Sequence, residues 1–256
     1  MNLFNSIKLF IHPRVMTMLF LGFSAGVPIL LIFSTLGLWL NEAGVVKSTI
    51  TFFSWAALGY SFKFVWAPLV DRLPLPVITR TLGRRRAWML VSQLAIMGAI
   101  LLMSSVDPKA SVDSLTIMAY GAVLLGFSSA TQDIVIDAYR IESADMDLQS
   151  MLSATYIAGY RIGMLVAGAG GLFIASYLGS TKEIYSFDAW SGTYLIMAGV
   201  MLIGVATTLI INEPKSERKE TEFSTTDYLR FFLLFLSIVV AFILTFIATE
   251  DFVKTA

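Results

Sequence analysis

The stretch SLTIMAYGAVLLGFSSATQDIVIDAYR, from Ser114 to Arg140, decides the class of fold. It carries no charge as far as Gln132, and then Asp133, Asp137 and Arg140 follow in helical register. A helix needs roughly 20 mostly apolar residues to cross a bilayer. Ionisable side chains at membrane depth are costly, and they persist mainly where they pair or serve a transport pathway. The stretch therefore predicts a transmembrane helix with functional charges towards one end.

The composition of the whole chain points to the same class. The 256 residues are 57% hydrophobic and only 14% charged, whereas soluble domains are about 25% charged. The net charge of zero argues against a nucleic-acid partner. The chain has no cysteine and a single histidine, His12, so we expect no disulfide, no histidine-based metal site and no catalytic His/Cys set. We therefore expect a membrane protein that is not an enzyme and uses no cofactor.

Seven stretches are long and apolar enough to span a bilayer, which predicts an all-α polytopic membrane protein. They are Val15–Leu40, Thr49–Val70, Ala87–Ser105, Leu115–Arg140, Leu148–Leu178, Ala189–Ile211 and Phe231–Thr249. We divide the chain into a six-helix bundle (1–211), a polar cytosolic linker (212–228) and a seventh helix with a short periplasmic tail (229–256).

The distribution of Lys and Arg predicts which way the chain sits in the membrane. With the N-terminus in the cytoplasm, twelve of the 18 Lys and Arg residues lie on the cytosolic side and four on the other side, which satisfies the positive-inside rule. The remaining two, Lys63 and Arg161, lie inside predicted spans.

Two interpretations of the charges after Gln132 compete. Asp133 and Asp137 are one helical turn apart, about 6 Å along the axis, and Arg140 follows on the same face. Either Arg140 neutralises Asp137 at a wet cytosolic helix end, or the carboxylates line a cavity and titrate or bind substrate. We favour the first interpretation for Asp137 and the second for Asp133.

Arg161 lies roughly 20 Å into the fifth span, too deep to reach the interface easily. A ridge of small residues at i+4 spacing lets a neighbouring helix approach closely, and Arg161 projects roughly opposite to it. The ridge consists of Gly159, Gly163, Ala167 and Gly171. Asp133 is the nearest plausible partner of Arg161, and such a pair would either hold the bundle together or gate transport. Lys63 is either an interfacial lysine or a third charge in the cavity.

Several segments, in order and in register, resemble the AmpG-type anhydromuropeptide permeases of the major facilitator superfamily. They are GFSAGVP (22–28), KFVWAPLVDR (63–72), GRRR (83–86), SATQDIVIDA (129–138) and GYRIGMLV (159–166). The resemblance covers roughly residues 10–214. It implies the N-terminal six-helix bundle of a proton-coupled importer that carries GlcNAc-anhydroMurNAc peptides across the bacterial inner membrane for peptidoglycan recycling. In some bacteria that pathway is linked to β-lactamase induction.

The resemblance also implies roles for particular residues. Those expected on the substrate or proton pathway are Asp133, Arg161, Lys63, Gln132, Asp137 and Tyr160. Those expected to form a cytosolic gate are Asp71, Arg72, Gly83, Arg84, Arg85 and Arg86. Asp133 is expected to change its protonation as the cavity opens and closes, because burial favours the neutral carboxyl and a nearby cation favours the carboxylate.

Two alternatives stay open. Related facilitators carry acyl-CoA, siderophores or drugs, so the cargo could be another solute. The chain could instead be a membrane scaffold that transports nothing. A facilitator has two six-helix halves, and the resemblance covers only the first, so the expected partners include the missing C-terminal half as well as substrate, protons and the lipid bilayer.

Overall fold

The computed structural model describes residues 12–214, except 54–55, 57 and 183, together with isolated positions between 226 and 240. All regular structure in the described part is helical. Five helices there are long and apolar enough to cross a membrane. They are Pro13–Glu42, Arg84–Ser104, Val112–Ser143, Met146–Tyr177 and Phe187–Ile210. They coincide with five of the predicted spans, so the predicted all-α polytopic class is confirmed.

The helices are numbered here in chain order. They are α1 Pro13–Leu30, α2 Leu36–Glu42, α3 Lys47–Phe52, α4 Leu58–Ser61, α5 Lys63–Arg72, α6 Ile78–Leu82, α7 Arg84–Ser104, α8 Val112–Ser143, α9 Met146–Leu165, α10 Gly171–Tyr177, α11 Phe187–Val200 and α12 Leu202–Ile210. The π-helical turns Leu31–Thr35 and Val166–Gly170 join α1 to α2 and α9 to α10.

The predicted span Thr49–Val70 is not one regular helix in the part of it that the structure describes. This region contains the three short helices α3, α4 and α5, and α5 starts after a break at Phe62, where φ is −104° and ψ is 9°. A backbone near ψ 0° leaves the regular helical path, so Lys63 begins a new helix instead of continuing α4. The predicted linker (212–228) and seventh helix (Phe231–Thr249) lie almost entirely outside the described residues.

Three helices begin where the sequence offers a side-chain cap. Pro13 is the first residue of α1, a position that needs no N–H donor, and the His12 Nδ1 accepts a hydrogen bond from the Arg14 N–H at 3.3 Å. The Oγ of Ser111 accepts from the Ser114 N–H at 3.0 Å at the start of α8. Ser186 caps α11 in the same way.

Glycines bring the backbones of α1 and α9 into direct contact. A Cβ on Gly22 or Gly26 of α1 would collide with the carbonyl oxygen of Tyr156 or Tyr160, respectively. The reverse is true on α9, where a Cβ on Gly159 would collide with the Leu19 carbonyl. Small residues on both helices therefore fix the register of α9 against α1.

The two π-helical turns lie side by side, and a buried hydroxyl donates to a backbone carbonyl of each. The Thr35 hydroxyl of the first turn donates to the carbonyl of Ala167 in the second turn at 3.0 Å. The Tyr194 hydroxyl of α11 donates to the Leu31 carbonyl at 2.9 Å. A π-helical turn leaves carbonyls without their usual helical donors, and these buried hydroxyls supply the missing hydrogen bonds.

Side-chain contacts show which connections share an end of the bundle. At one end, Arg85 of α7 binds Asp71 and Glu142, and Glu213 binds the start of α7. We call this the gate end. At the other end, which we call the distal end, Glu42 binds Ser180 and Trp190, and Tyr185 binds Asp107. Successive spans therefore run in alternating directions.

Candidate functional site

The segment from Gly59 to Trp66 is held along α8 by three contacts. The backbone of α8 at Gly126 lies within 3.0 to 3.1 Å of the position that a Cβ on Gly59 would take. The Tyr60 hydroxyl lies 2.7 Å from the Ser129 hydroxyl. The Trp66 indole N–H donates to the Thr131 hydroxyl at 3.1 Å.

These contacts place Lys63, midway along the segment, over Asp133. The Lys63 Nζ lies 3.8 Å from the Asp133 Oδ2. The lysine side chain is 38% exposed and the aspartate side chain only 10% exposed. The Tyr156 hydroxyl donates to the other carboxylate oxygen of Asp133 at 3.4 Å. Asp133 is therefore a mostly buried carboxylate with a cation on one side and a phenol on the other.

The predicted pairing of Arg161 with Asp133 is wrong. No carboxylate lies within salt-bridge distance of Arg161 in the described part of the chain, and its recorded contact runs from Nη1 to the Met164 sulfur at 3.8 Å. Arg161 is exposed, whereas Gly159 and Gly163 are buried against α1. The small-residue ridge packs against α1, so Arg161 lies on a different, exposed face of α9. Lys63 takes the place that we assigned to Arg161.

Tyr160 and Gln132 occupy different surroundings. The ring of Tyr160 lies 6.0 Å from that of Tyr156, centroid to centroid, and continues the aromatic surface beside Asp133. Gln132 instead points into the core, where its Nε2 donates to the Ser24 hydroxyl at 3.0 Å. The structure therefore separates Gln132 from the face that carries Asp133.

The surroundings of Asp137 agree with the interpretation that Arg140 neutralises it. Its Oδ1 lies 3.4 Å from the Arg140 Nη2, and its side chain is 49% exposed. Arg140 also donates to the Ser153 hydroxyl of α9 at 2.7 Å. Arg140 thus balances Asp137 near the gate end and ties α8 to α9.

Arg85 is the centre of the gate end. Its side chain is 3% exposed, and its guanidinium donates to Asp71 at 2.7 Å and to both carboxylate oxygens of Glu142. A planar guanidinium binds a carboxylate through two parallel N–H groups, which fixes its orientation as well as its charge. Arg85 therefore joins α5, α7 and α8. Arg72, also expected in the gate, ends α5 one residue after Asp71.

A second carboxylate, Glu213, closes the start of α7. Its two oxygens accept from the backbone N–H groups of Arg85 and Arg86 at 2.8 and 3.0 Å. Gly83 makes room for it, because a Cβ there would collide with the Glu213 side chain, and φ at Gly83 is +87°. Arg84, the first residue of α7, precedes these two donors. A carboxylate at a helix N-terminus satisfies unpaired N–H groups and complements the helix dipole.

The side chain of Arg86 completes this connection to α12. It donates from Nε to the Thr208 carbonyl at 3.0 Å and from Nη2 to the Leu209 carbonyl at 2.7 Å. These carbonyls belong to the last turn of α12 and have no helical donors of their own. Glu213, which follows α12, thus binds the backbone at the start of α7, and Arg86 of α7 binds the backbone at the end of α12.

Hydrogen bonds to two carboxylates, Glu42 and Asp107, hold the distal end together. The Trp190 indole and the Ser180 hydroxyl each donate to Glu42 Oε2 at 2.7 Å. The Tyr185 hydroxyl donates to Asp107 at 2.6 Å and accepts from the Trp39 indole at 3.3 Å. Burial, followed by the hydrogen bond to Asp107, raises the pKa of Tyr185.

Two acidic residues of the gate end, Glu142 and Glu213, were absent from the sequence prediction. Both follow the last apolar residues of predicted spans, close to where the basic run 84–86 must return. A basic turn predicts acids at neighbouring helix ends in general, but several acids qualify by position. The choice between them depends on helix rotation, which the sequence does not specify.

The chain belongs to the Major Facilitator Superfamily, whose family model matches residues 15–252. This membership agrees with the long apolar helices described above, which run in alternating directions.

Within that superfamily the chain is similar to AmpG-type proteins. It is 35% identical to the putative transporter AmpG 4 of Rickettsia felis over 218 residues, which is 85% of this chain and 50% of that protein. It is 36% identical to the anhydromuropeptide permease of Escherichia coli K12 over 209 residues, which is 81% of this chain and 39% of that protein. The chain therefore spans half or less of the length of these relatives.

Proposed function

We propose that this protein acts as a transporter of anhydromuropeptides in the bacterial inner membrane, importing cell-wall fragments into the cytoplasm with protons. Membership of the major facilitator superfamily supports transport rather than catalysis, and the similarity to an anhydromuropeptide permease supports the cargo. In this orientation the N-terminus and the gate end face the cytoplasm, as the excess of Lys and Arg at that end favours.

One observation carries the proposal, namely the ion pair between Lys63 and the mostly buried Asp133. Charged groups inside a span are costly, and they are retained where they serve an ion or substrate pathway. At 3.8 Å the pair is a loose contact rather than a tight hydrogen bond, and Lys63 is partly exposed. In the proposed mechanism, a proton enters beside Lys63 and competes with the lysine for the carboxylate.

Protonation of Asp133 would remove the charge that holds Lys63. Lys63 is the first residue of α5, next to the break at Phe62, so its release affects a short helix whose last turn carries Asp71 of the gate. In the proposed cycle, the proton state of Asp133 is thereby linked to the position of α5 and to the Asp71–Arg85 contact. This provides a physical route from proton binding to opening of the gate end.

The test is uptake of a labelled anhydromuropeptide by proteoliposomes that contain the full-length protein and carry an imposed pH gradient. Asp133→Asn keeps the size of the side chain but cannot ionise, so we expect gradient-driven uptake to be lost while the protein still inserts. Asp137→Asn is the matched control, because Asp137 lies one turn away, is half exposed and is balanced by Arg140. Normal gradient-driven uptake by Asp133→Asn would overturn the proton role.

Counterflow in the absence of a gradient separates coupling from transport itself. In this assay labelled substrate exchanges against unlabelled substrate, and no net proton movement is needed. We expect Asp133→Asn to retain exchange. Failure of the wild-type protein to take up or exchange any muropeptide would overturn the proposed cargo.

A further inference from the structure

The structure leaves Arg161 as a cation without a carboxylate partner among the described residues. It lies near the middle of the span Met146–Tyr177, 15 residues from its start, which corresponds to about 22 Å along the helix. Its neighbours on the exposed face of α9 are apolar, for example Ile157 and Leu165, which are 56% and 66% exposed. An unpaired guanidinium at this depth is unfavourable against lipid, so this face must meet an anion or water.

The carboxylate nearest in depth is not free to serve as that anion. Asp133 is engaged by Lys63 and by the Tyr156 hydroxyl. Arg161 is five residues further along α9 than Tyr156, which places it about 7 Å deeper from the gate end. The charges of Lys63 and Asp133 therefore balance each other, whereas the charge of Arg161, about 7 Å deeper, is not balanced by a described carboxylate.

We infer that Arg161 binds a carboxylate of the transported molecule. This inference rests on the proposed function and specifies how the cargo is recognised. A peptide attached to a sugar ends in a carboxylate, and a guanidinium binds this group through two parallel N–H donors. Tyr160 precedes Arg161, and its ring lies 6.0 Å from the ring of Tyr156, whose hydroxyl donates to Asp133. The peptide carboxylate therefore lies at Arg161, and the rest of the ligand extends along the tyrosines towards Lys63.

The test compares two ligands on the full-length protein in lipid nanodiscs. One is a GlcNAc-anhydroMurNAc peptide with free carboxylates, and the other is the same molecule with each peptide carboxylate converted to a carboxamide. For the wild type we expect the free acid to bind about 10- to 100-fold more tightly than the amide, as for a charge-assisted pair. In Arg161→Gln we expect this preference to fall to about 3-fold or less, because the guanidinium is gone and Lys63 is already paired with Asp133.

Arg140→Gln is the matched control, since it removes the same charge from the gate end, where Arg140 is already paired with Asp137. It should keep the wild-type preference for the acid. If Arg161→Gln weakens both ligands equally, or leaves both unchanged, the inference is overturned and Arg161 pairs with another part of the protein or with water. If the wild type binds neither ligand, the proposed cargo itself has failed, so the two failures are distinguishable.

Discussion

The close contact between α1 and α9 predicts a large effect from a single methyl group. In Gly159→Ala, the new Cβ would collide with the Leu19 carbonyl oxygen, and two further backbone atoms of α1 lie only 2.9 Å away. Ordinary contact begins near 3.4 Å. The helices must therefore separate by about 0.5 Å or more, because backbone atoms cannot rotate out of the way as a side chain can.

Overpacking of this kind costs about 1 to 3 kcal/mol, which corresponds to a fall of about 2 to 12 °C in the midpoint of thermal unfolding. The measurement is the tryptophan fluorescence of the purified protein during heating in detergent. Gly98→Ala is the matched control: Gly98 lies within α7 and has no neighbouring atom within 4 Å of a Cβ among the described residues. That change should leave the midpoint unchanged or slightly higher, because alanine favours a helix. Equal midpoints for the two variants would refute the packing account.

Two further predictions concern the ends of the bundle. Arg85→Gln should lower the free energy of unfolding by about 3 kcal/mol, because it leaves Asp71 and Glu142 together without the buried cation; a thermal midpoint within about 1 °C of the wild type would contradict this. Tyr185→Phe should reduce the loss of stability at alkaline pH. The pKa of Tyr185 is raised by burial and by its hydrogen bond to Asp107, so the unfolded chain loses the proton first and the folded protein loses stability above about pH 10. Thermal midpoints at about pH 8 and about pH 11 test this, and an equal alkaline loss in both proteins would contradict it.

The sequence predicts the long spans well because length and hydropathy alone determine them. Five apolar stretches form helices within a few residues of the predicted bounds. The second stretch, Thr49–Val70, is also mostly apolar but is broken at Phe62. Hydropathy cannot reveal such a break, because it depends on the residue types in a stretch and not on the path of the backbone.

The site was harder to predict, because it depends on how each helix is rotated. Lys63 and Asp133, both expected inside predicted spans, lie together. The partner of Asp133 was assigned wrongly. Spacing along α9 showed that Arg161 lies away from the small-residue ridge, but it did not show where α8 lies relative to that ridge. The glycines at 22, 26, 159 and 163 fix the rotation of α9 against α1, and the surroundings of Arg161 follow from that contact.

The position of Glu213 has a mechanical consequence. Its carboxylate is bound by the first backbone amides of α7, and Pro214 follows at once. A pull on the chain beyond Pro214 is therefore transmitted to the first turn of α7, where Arg85 binds Glu213 through its backbone and binds Asp71 and Glu142 through its guanidinium. Movement of the segment that follows Glu213 would therefore act directly on the ion pairs of the gate end.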